Sequence, residues 1–506
     1  MMWPFKKRDK KPSKAAEKQA YALGFAEGHK RTYYNAAKAG RRTSKWGERA
    51  SSANAVTSAN GRKLRERARH QIRNSPHANK AKLMFVSSVV GEGIRPQVRT
   101  GNPELDIEAE RLWHEWTKVC DADGRHDFYG LQRLIAGTIP GDGECMIRRR
   151  PRRTEDGMAV PLQLEVLEAD YLDESRTDMV GRGRIVQGVE FNALGRRVAY
   201  WLFKYHPHDV SSPSNSMMGI TSSRIRASEI AHVYYCDRPG QARGVPWLAP
   251  VMMLLEDLEA YVDAEVLRKR VEACMVGIYK GDLQHWAPAY DGETGDIESV
   301  QPIRDADGVP MGDLQPGEIY HIDHEADLSI HQPSVVTGIE EFLRVTQRSI
   351  ATGLGMTYEL LAGDLSKVNF SSIRAGNIEW RRLARQLAQG LIVRQVCEPV
   401  WRWWLSMAIA SGALPEGVEY RVDWIAPHHE EIDRVKDLQA DVLGLSSGLY
   451  TMSETLKRRG KDFDQHVEEL ANERERLGAD GVALDWLPEE EPPAEDAEVT
   501  AIEGVA

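Results

Sequence analysis

Residues 353–380 read GLGMTYELLAGDLSKVNFSSIRAGNIEW, a segment punctuated by glycines that leads into a long helical pattern. Either Ser371 or Ser372 can cap the helix that follows. Apolar residues then recur with helical spacing, at Leu383, Leu387, Leu391, Ile392, Val396, Val400 and Trp404. The pattern continues to Gly412, and about 40 residues at about 1.5 Å each span roughly 60 Å. A helix of this length with apolar residues on more than one face needs neighbours along it, so we predict packing between subunits.

The composition is that of a chain that can form cores and has charged ends. Its 506 residues are enough for two to four compact units, and 42% of them are hydrophobic. The net charge of −10 combines a basic first eighty residues with an acidic run, PEEEPPAEDAEVT, at residues 488–500. We predict that residues 1–60 and 481–506 are flexible tails. The alternative is that the basic arm touches nucleic acid or an acidic partner.

Neither a membrane span nor a secretory signal is predicted. No apolar run reaches the roughly 18 residues that a span needs, and the charged N-terminus has no apolar core behind it. The cysteines are far apart and form no CxxC pair, so neither a zinc knuckle nor a disulfide framework is indicated. They are Cys120, Cys145, Cys236, Cys274 and Cys397. A reducing compartment, no metal and no cofactor are the expectations.

The first half of the chain changes from helical to strand periodicity. A helical stretch is predicted over GRKLRERARHQIRNSPHANKAKLMFVSSVVG, which ends at Gly91. The helix predicted over NPELDIEAERLWHEWTKVC can place four apolar residues on one face: Leu105, Ile107, Leu112 and Trp116. Beyond residue 140, PLQLEVL alternates as a half-buried strand does, with Leu162, Leu164 and Val166 on one side.

Further strands complete a β-rich region. GVEFNALGRRVAYWLFKY predicts two strands around a turn at Asn192–Gly195, and IAHVYY predicts another. Helical spacing returns after Pro246, with an apolar set formed by Val251, Leu255, Leu258, Val262 and Val266. Residues 280–335 have the turn signals of short strands, and a helix runs from Gly338 to Gly355. A strand, VEYRVDW, and two more helices follow the long helical pattern.

Two fragments imitate enzyme motifs without their context. GLSSG at Gly444–Gly448 fits G-x-S-x-G, but a predicted helix precedes it where a strand is needed, so it is interpreted as a helix end and turn. HHEEID at residues 428–433 lacks the histidine spacing of a zinc helix, and its acidic residues suit a helix start. No GxxxxGK[ST] motif occurs, so ATP hydrolysis is not predicted.

One fragment leaves an enzymatic alternative open. In GDGECMIRRRPRR, Asp142 and Glu144 alternate as the carboxylates of a two-metal nuclease can. The arginines Arg148–Arg150, Arg152 and Arg153 could bind phosphate. The structural alternative is an exposed turn at the end of a strand.

The segment from Ile350 to Arg382 resembles the signature segment of lambda-type bacteriophage portal proteins. The residues that stand at the motif positions are Tyr358, Glu359, Asp364, Asn369, Phe370, Ser371, Ser372 and Arg374. Phe370 departs from the pattern, since tyrosine is commoner there. Other segments agree in order, among them RNSPHANKAKLMFVSSVVGEGIRPQ and RIRASEIAHVYYCDRPGQARGVPWLAPVM, and the similarity spans roughly residues 65–480.

The resemblance implies an α+β portal-protein fold that assembles as a ring of twelve subunits. Its parts are implied in order: a basic arm, a wing, a first stem helix, a clip, a second stem helix, a tunnel loop, a spine helix with a return strand, helices of a crown, and an acidic tail. Their boundaries are 1–60, 61–245, 246–279, 280–337, 338–356, 357–371, 372–427, 428–480 and 481–506.

The same resemblance implies a non-enzymatic channel at one capsid vertex. Double-stranded DNA would pass through it during packaging and ejection. The clip would dock the large subunit of the terminase and later the head–tail connector proteins, and the ring would also meet the major capsid or scaffold protein. The protein would assemble in the host cytoplasm and end in the virion. The alternatives are a DNA-processing nuclease and an adaptor that binds nucleic acid through its basic arm.

The tunnel loop carries the candidate DNA contacts. Its glycines permit movement, and its few charges are Glu359, Asp364 and Lys367. We predict that Lys367, Asn369 and Arg374 meet the DNA backbone in the lumen. For Arg374 the alternative is an ion pair between subunits.

Overall fold

The protein has an α+β architecture, as predicted. The computed structural model describes residues 51–209, 221–273, 277–280, 319–322, 338–366, 369–426 and 434–479. Within these residues no helix is long and apolar enough to cross a membrane. The four described cysteines are free thiols: Cys120, Cys145, Cys236 and Cys397.

Two helices open the described chain, α1 (Ala53–Asn74) and α2 (Pro76–Val89). Ser75 separates them, because its hydroxyl accepts a hydrogen bond from the Ala78 amide and so caps α2. The predicted helical stretch is confirmed, but as two helices. Residues 53–60 are also helical, so the predicted flexible arm extends too far into the chain.

Helix α3 (Pro103–Thr117) follows strand β1 (Arg95–Arg99). Its buried face contains Ala109, Leu112, Trp113 and Trp116. Ile107 was predicted on this face, and that is wrong, since its side chain is 63% exposed. Five residues separate Ile107 from Leu112, which places them about 140° apart around an α-helix.

Helix α4 (Phe128–Asp142) leads into a three-stranded antiparallel sheet. Its central strand β2 (Glu144–Pro151) pairs with β3 (Leu162–Glu168) on one side and β9 (Ile230–Tyr234) on the other. Leu162 and Leu164 are buried, as the alternation in this strand predicted.

A five-stranded antiparallel sheet lies between β3 and β9 in the chain. Its strands pair in sequence order: β4 (Asp178–Val180), β5 (Gly183–Val186), β6 (Val189–Phe191), β7 (Arg197–Phe203) and β8 (Ser222–Arg226). The predicted hairpin at Asn192–Gly195 is confirmed. The Asn192 amide donates to the Arg196 carbonyl at 2.9 Å, and Gly195 adopts a left-handed φ of +76°.

Helices α5 (Met252–Ala273) and α6 (Ile339–Leu354) pack against each other. The rings of Tyr261 and Phe342 lie 4.6 Å apart between centroids. The core reached by α5 ends at Leu258, and the predicted apolar residues beyond it, Val262 and Val266, are 38% and 44% exposed. Between the two helices only β10 (Gly277–Lys280) and β11 (Ile319–Ile322), which pair in parallel, are described. The rest of the predicted turn-rich region lies outside the described residues.

The long helix of the sequence prediction is continuous but not uniform. It consists of α8 (Phe370–Leu387), a π-helical segment (Ala388–Cys397) and α9 (Glu398–Ala410), of 18, 10 and 13 residues. We refer to the three together as the long helix. It begins before Ser371 and Ser372, so neither of these residues is the cap. The π turns come just before Pro399, whose ring would clash with the carbonyl four residues earlier in an α-helix.

The long helix buries its apolar residues against its own chain. Trp404 is fully buried, and its ring centroid lies 5.2 Å from that of Trp113 in α3. The Trp403 indole donates to the Ser228 carbonyl at 2.9 Å, just before β9. The core also contains these residues of the long helix: Leu387, Leu391, Ile392, Val396 and Val400. The premise that this helix must find neighbours in other subunits is therefore wrong, because its own chain covers these apolar residues.

After the long helix, the described part of the chain consists of a strand and three helices. Strand β12 (Arg421–Ile425) is confirmed and pairs with β1. Helix α10 (Arg434–Ser446) ends inside GLSSG, which confirms the helix end and turn predicted there; HHEEID lies outside the described residues. The last predicted helix is two helices, α11 (Met452–Arg458) and α12 (Phe463–Ala479), with left-handed Gly460 between them.

Candidate nucleic-acid interface

Two left-handed glycines frame a short helix in the predicted tunnel loop. Helix α6 ends at Gly355 (φ +70°), and α7 (Tyr358–Ala362) ends at Gly363 (φ +71°). The Thr357 hydroxyl caps α7 by accepting a backbone hydrogen bond. The segment 357–371 is therefore not a simple loop, and these glycines terminate helices.

Two of the motif residues, Tyr358 and Asp364, stabilise this segment by a hydrogen bond between their side chains. The Tyr358 hydroxyl donates to Oδ2 of Asp364 at 3.0 Å. Oδ1 of the same carboxylate accepts from the amide of Ser366 at 3.0 Å and from its hydroxyl at 2.6 Å. The hydrogen bonds from Ser366, followed by the one from Tyr358, lower the pKa of Asp364 to about 2. The charged carboxylate thus organises the turn after α7.

The segment lies directly against the first turns of the long helix. Leu361 of α7 is buried. A Cβ added to Gly376 would lie 2.7 Å from Cγ2 of Thr357, and one added to Gly355 would lie 2.8 Å from Cδ2 of Leu383. The glycines therefore permit close approach between the segment and the helix.

The structure describes two of the three predicted DNA contacts. Lys367 lies outside the described residues. The Asn369 carbonyl accepts the amides of Ser372 and Ile373, so Asn369 stands at the start of α8. Arg374 is one turn further on, and its Nη2 lies 2.7 Å from Oδ1 of Asp437 in α10. Both residues belong to the start of the long helix, and Arg374 forms an ion pair within its own chain.

The remaining motif residues lie on the same two helices. Glu359 is half-buried in the first turn of α7. Phe370 and Ser371 form the first turn of α8, in which only their backbone is described, and Ser372 is exposed. Helix α8 carries one acidic residue, Glu379, and four arginines: Arg374, Arg381, Arg382 and Arg385. This excess of positive charge suits contact with a polyanion.

The carboxylate proposed for a nuclease is enclosed by basic groups. Glu144 and His232 have side chains that are only 1% exposed, and Oε2 of Glu144 lies 2.9 Å from Nε2 of His232. Its Oε1 accepts from Nε of Arg243 at 2.6 Å, and the Gly244 amide donates to Oε2 at 2.7 Å. Burial alone raises the pKa of Glu144, but Arg243 and His232 outweigh it and hold the pKa well below its usual range.

The second carboxylate of that pair is also occupied. Nε of Arg69 lies 2.5 Å from Oδ1 of Asp142. Nη2 of the same guanidinium contacts Glu168 at 3.3 Å and Asp170 at 2.5 Å. These two residues and His206 could otherwise form a metal-ligand group. The carboxylates of this region are therefore paired with arginines, which occupy the positions that a divalent ion would need.

The structural alternative, an exposed turn at a strand end, is wrong for the first three arginines of the run, whereas Arg152 and Arg153 follow the end of β2 and Arg153 is exposed. Arg148, Arg149 and Arg150 lie within strand β2 and are partly buried. Nε of Arg150 donates to Glu165 of the adjacent strand at 2.7 Å. Sequence reasoning missed Arg243 as the partner of Glu144. Its position within the apolar and small residues of QARGVPW is the available signal, because a charged residue in such a context is often buried with a partner.

Comparison with known proteins identifies relatives that match most of the chain. The family model described as phage portal protein, lambda family, matches residues 39–387. The "Probable portal protein" of Halomonas phage phiHAP-1 is 27% identical over 441 residues, which cover 83% of this chain and 81% of that protein. "Portal protein B" of Escherichia phage lambda is 22% identical over 490 residues, which cover 85% and 87%.

Solved structures give looser matches. A chain from the neck of an empty GTA particle, computed with sixfold symmetry, matches with a TM-score of 0.41 and 15% identity, covering 79% of this chain and 93% of that one. A chain from the neck of a native GTA particle, computed with twelvefold symmetry, matches with a TM-score of 0.40 and 16% identity, covering 81% and 98%.

Proposed function

The chain belongs to the lambda family of phage portal proteins, and from this premise we propose that it forms a ring-shaped channel at one capsid vertex. Double-stranded DNA passes through the channel during packaging and ejection. The observation that carries this proposal is the family match over residues 39–387, which includes the tunnel-loop motif and the start of the long helix. The names of the relatives, portal proteins of two phages, agree with it.

We assign the contacts between subunits to the exposed apolar residues on α5 and α6. Val266 and Leu267 are 44% and 61% exposed, and Phe342 and Val345 are 49% and 55% exposed. Exposed apolar residues grouped on neighbouring helices indicate a partner surface. A head-to-tail contact repeated around an axis gives a ring when the rotation between neighbours closes. The paired helices α5 and α6 thus take the role that the sequence prediction gave to the long helix.

The tunnel-loop segment is the proposed DNA contact. Asn369 and Arg374 both lie at the start of the long helix, and Lys367 precedes Asn369 by two positions in the sequence. A channel must let DNA slide, and every neutralised phosphate strengthens binding. Few cations on the segment, within a chain of net charge −10, suit sliding better than a strongly basic lining would. In this proposal Arg374 alternates between Asp437 and the DNA backbone.

The remaining roles extend the same proposal. The clip, residues 280–337, docks the large subunit of the terminase and later the head–tail connector proteins. The major capsid or scaffold protein meets the outside of the ring. The protein assembles in the host cytoplasm and resides in the virion, and it catalyses nothing itself. The arginine partners of Asp142 and Glu144 support the absence of a nuclease site in that region.

Imaging of the purified protein tests the proposal directly. Negative-stain images are expected to show annular particles with a central hole, and the same particles are expected at one vertex of phage heads. A chain that remains a single compact particle at high concentration, with no annular species in heads, would contradict it. Deletion of residues 1–50, which leaves α1 whole, separates the portal from an adaptor, because a portal lacking the arm still forms rings.

A further inference from the structure

A groove with an apolar floor and a basic rim lies beside the tunnel-loop segment. It has a volume of about 1320 Å³ and lies between α2, α4, the start of the long helix and the turn after α11. Leu83 of α2 and Leu134 of α4 line it and are 54% and 43% exposed. An open groove with exposed leucines favours an apolar ligand group.

The charge of the lining is strongly one-sided. Glu92 is its single carboxylate, against five cationic residues: Lys82, Arg95, Arg133, Arg381 and Arg459. Some of this charge is already balanced inside the chain, since Nη2 of Arg459 lies 2.9 Å from Oδ2 of Asp441. The excess remains positive, and it favours an acidic ligand with an apolar portion.

The chain itself contains a segment with this chemistry. Residues 484–498 read LDWLPEEEPPAEDAE, in which an apolar start is followed by six acidic residues and no basic one. We propose that Trp486 and Leu487 cover the leucines of the groove in the same copy of the chain, and that the carboxylates of residues 489–498 lie on its basic rim. This inference does not rest on the proposed function.

The distances allow this arrangement. Gly460 lines the groove, and α12 begins three residues later at Phe463. Its 17 residues carry the chain about 25 Å away. The eight residues from 480 to 487 span up to about 28 Å when extended. Leu487 and the acidic residues after it can therefore reach back to the groove of their own copy.

Carbodiimide cross-linking of the full chain tests the proposal with its own residues. The reagent joins an amine to a carboxylate in contact with it, and Lys82 supplies the only lysine amine of the groove. Mass spectrometry is expected to find Lys82 joined to a residue of the segment 489–498. Lys82→Arg keeps the charge and is expected to lose this product. The exposed Lys63 of α1 serves as the control amine, and equal yields at the two lysines would overturn the proposal.

A charge exchange provides the second test. Limited proteolysis of the acidic segment is expected to be about five- to tenfold faster in Lys82→Glu/Arg133→Glu than in the unaltered protein. Lysines at positions 489–491 are expected to have the same effect alone and to restore protection when combined with the groove variant. The variant with lysines only at positions 489–491 leaves the body of the protein intact. Unchanged cleavage of its acidic segment therefore contradicts the proposal even if the groove variant unfolds. Cross-links that join isotope-labelled to unlabelled copies would also contradict it, since they place the segment on a neighbour.

Discussion

Nη2 of Arg374 lies 2.7 Å from Oδ1 of Asp437, which ties the first turns of the long helix to α10. Both side chains keep access to solvent, being 39% and 26% exposed. In the proposed channel, DNA would therefore have to compete with a carboxylate of the same chain for this arginine. The sequence offered DNA or another subunit as the partner, whereas the described structure pairs the arginine internally.

Loss of the ion pair between Arg374 and Asp437 is predicted to strengthen the binding of DNA by Arg374. Asp437→Asn removes the competing charge and is expected to increase the DNA retained in packaged heads, whereas Arg374→Ala and Lys367→Ala are expected to decrease it. The free energy of unfolding should change by less than about 1 kcal/mol, because the pair is partly exposed. A packaging and retention assay on the variant rings measures the effect. Arg421→Ala, at an exposed pair with Glu419, is the matched charge control.

Unchanged DNA uptake and retention in both Arg374→Ala and Lys367→Ala rings would contradict the prediction that these residues contact DNA in the lumen. Arg374 would then remain a purely structural link between α8 and α10. A double-mutant cycle with Asp437 measures that link independently of DNA.

Glu144 is predicted to be a residue of stability and not of catalysis. Glu144→Gln leaves Arg243 buried without its counter-charge, which is expected to lower the free energy of unfolding by about 3–5 kcal/mol. Denaturant unfolding measures this loss. Glu419→Gln, at the exposed pair with Arg421, is expected to leave stability unchanged. Metal-dependent plasmid cleavage that disappears in a stably folded Glu144→Gln protein would instead favour the nuclease alternative.

The buried His232 predicts a loss of stability at mildly acidic pH. Burial lowers the pKa of His232 below its ordinary value of 6.5, despite the opposing effect of Glu144. The unfolded chain therefore binds more protons than the folded chain as the pH falls below about 6.5, and folding weakens there. Between pH 7.5 and 5.5 the free energy of unfolding is expected to fall more steeply in the unaltered protein than in His232→Gln. His114→Gln, an exposed change on α3, is the control, and an equal slope in all three proteins would contradict the assignment.

Local signals in the sequence were sufficient where the controlling residues are neighbours in the chain. Gly338 and Gly355 bound α6 as predicted, and the turn at Asn192–Gly195 forms the expected hairpin. Left-handed glycines and short turns act through the backbone of adjacent residues, so the sequence shows them directly.

Features that depend on distant residues were not predictable in this way. Periodicity showed that the long helix has several apolar faces, but it could not show that α3 of the same chain covers Trp404. The partners of Glu144 lie about a hundred residues later, and no spacing rule connects them. At the candidate interface the motif located Arg374, but its pairing with Asp437 depends on the packing of α10.

An acidic residue on the exposed face of α6 is predicted to block ring assembly. Val345 is 55% exposed, and a buried glutamate in a contact between subunits would lack a partner. Val345→Glu is expected to lower the ring fraction at least about tenfold, which corresponds to about 1.4 kcal/mol in the contact. Analytical ultracentrifugation measures the ring fraction, and circular dichroism checks that the subunit stays folded. Leu194→Glu, at an exposed hairpin tip, is the control, and equal effects of the two changes would contradict an interface on α6.

Gly355 is predicted to be required for two separable reasons. Its left-handed φ of +70° costs an alanine about 1–2 kcal/mol, and the added Cβ would also lie 2.8 Å from Cδ2 of Leu383. Gly363 isolates the first effect, since its φ is +71° and nothing lies within 4 Å of an added Cβ. Gly355→Ala is therefore expected to lower the free energy of unfolding more than Gly363→Ala does.

The double variant Gly355→Ala/Leu383→Ala decides between the two effects at this site. Removal of the Leu383 methyl groups relieves the contact, so the cost of the alanine at 355 measured in the Leu383→Ala background should fall to that of Gly363→Ala. Denaturant midpoints of the five proteins give these differences. If the alanine costs as much at 355 in either background as it does at 363, then α6 does not need close approach to the long helix, and the tunnel-loop segment is placed by its own hydrogen bonds alone.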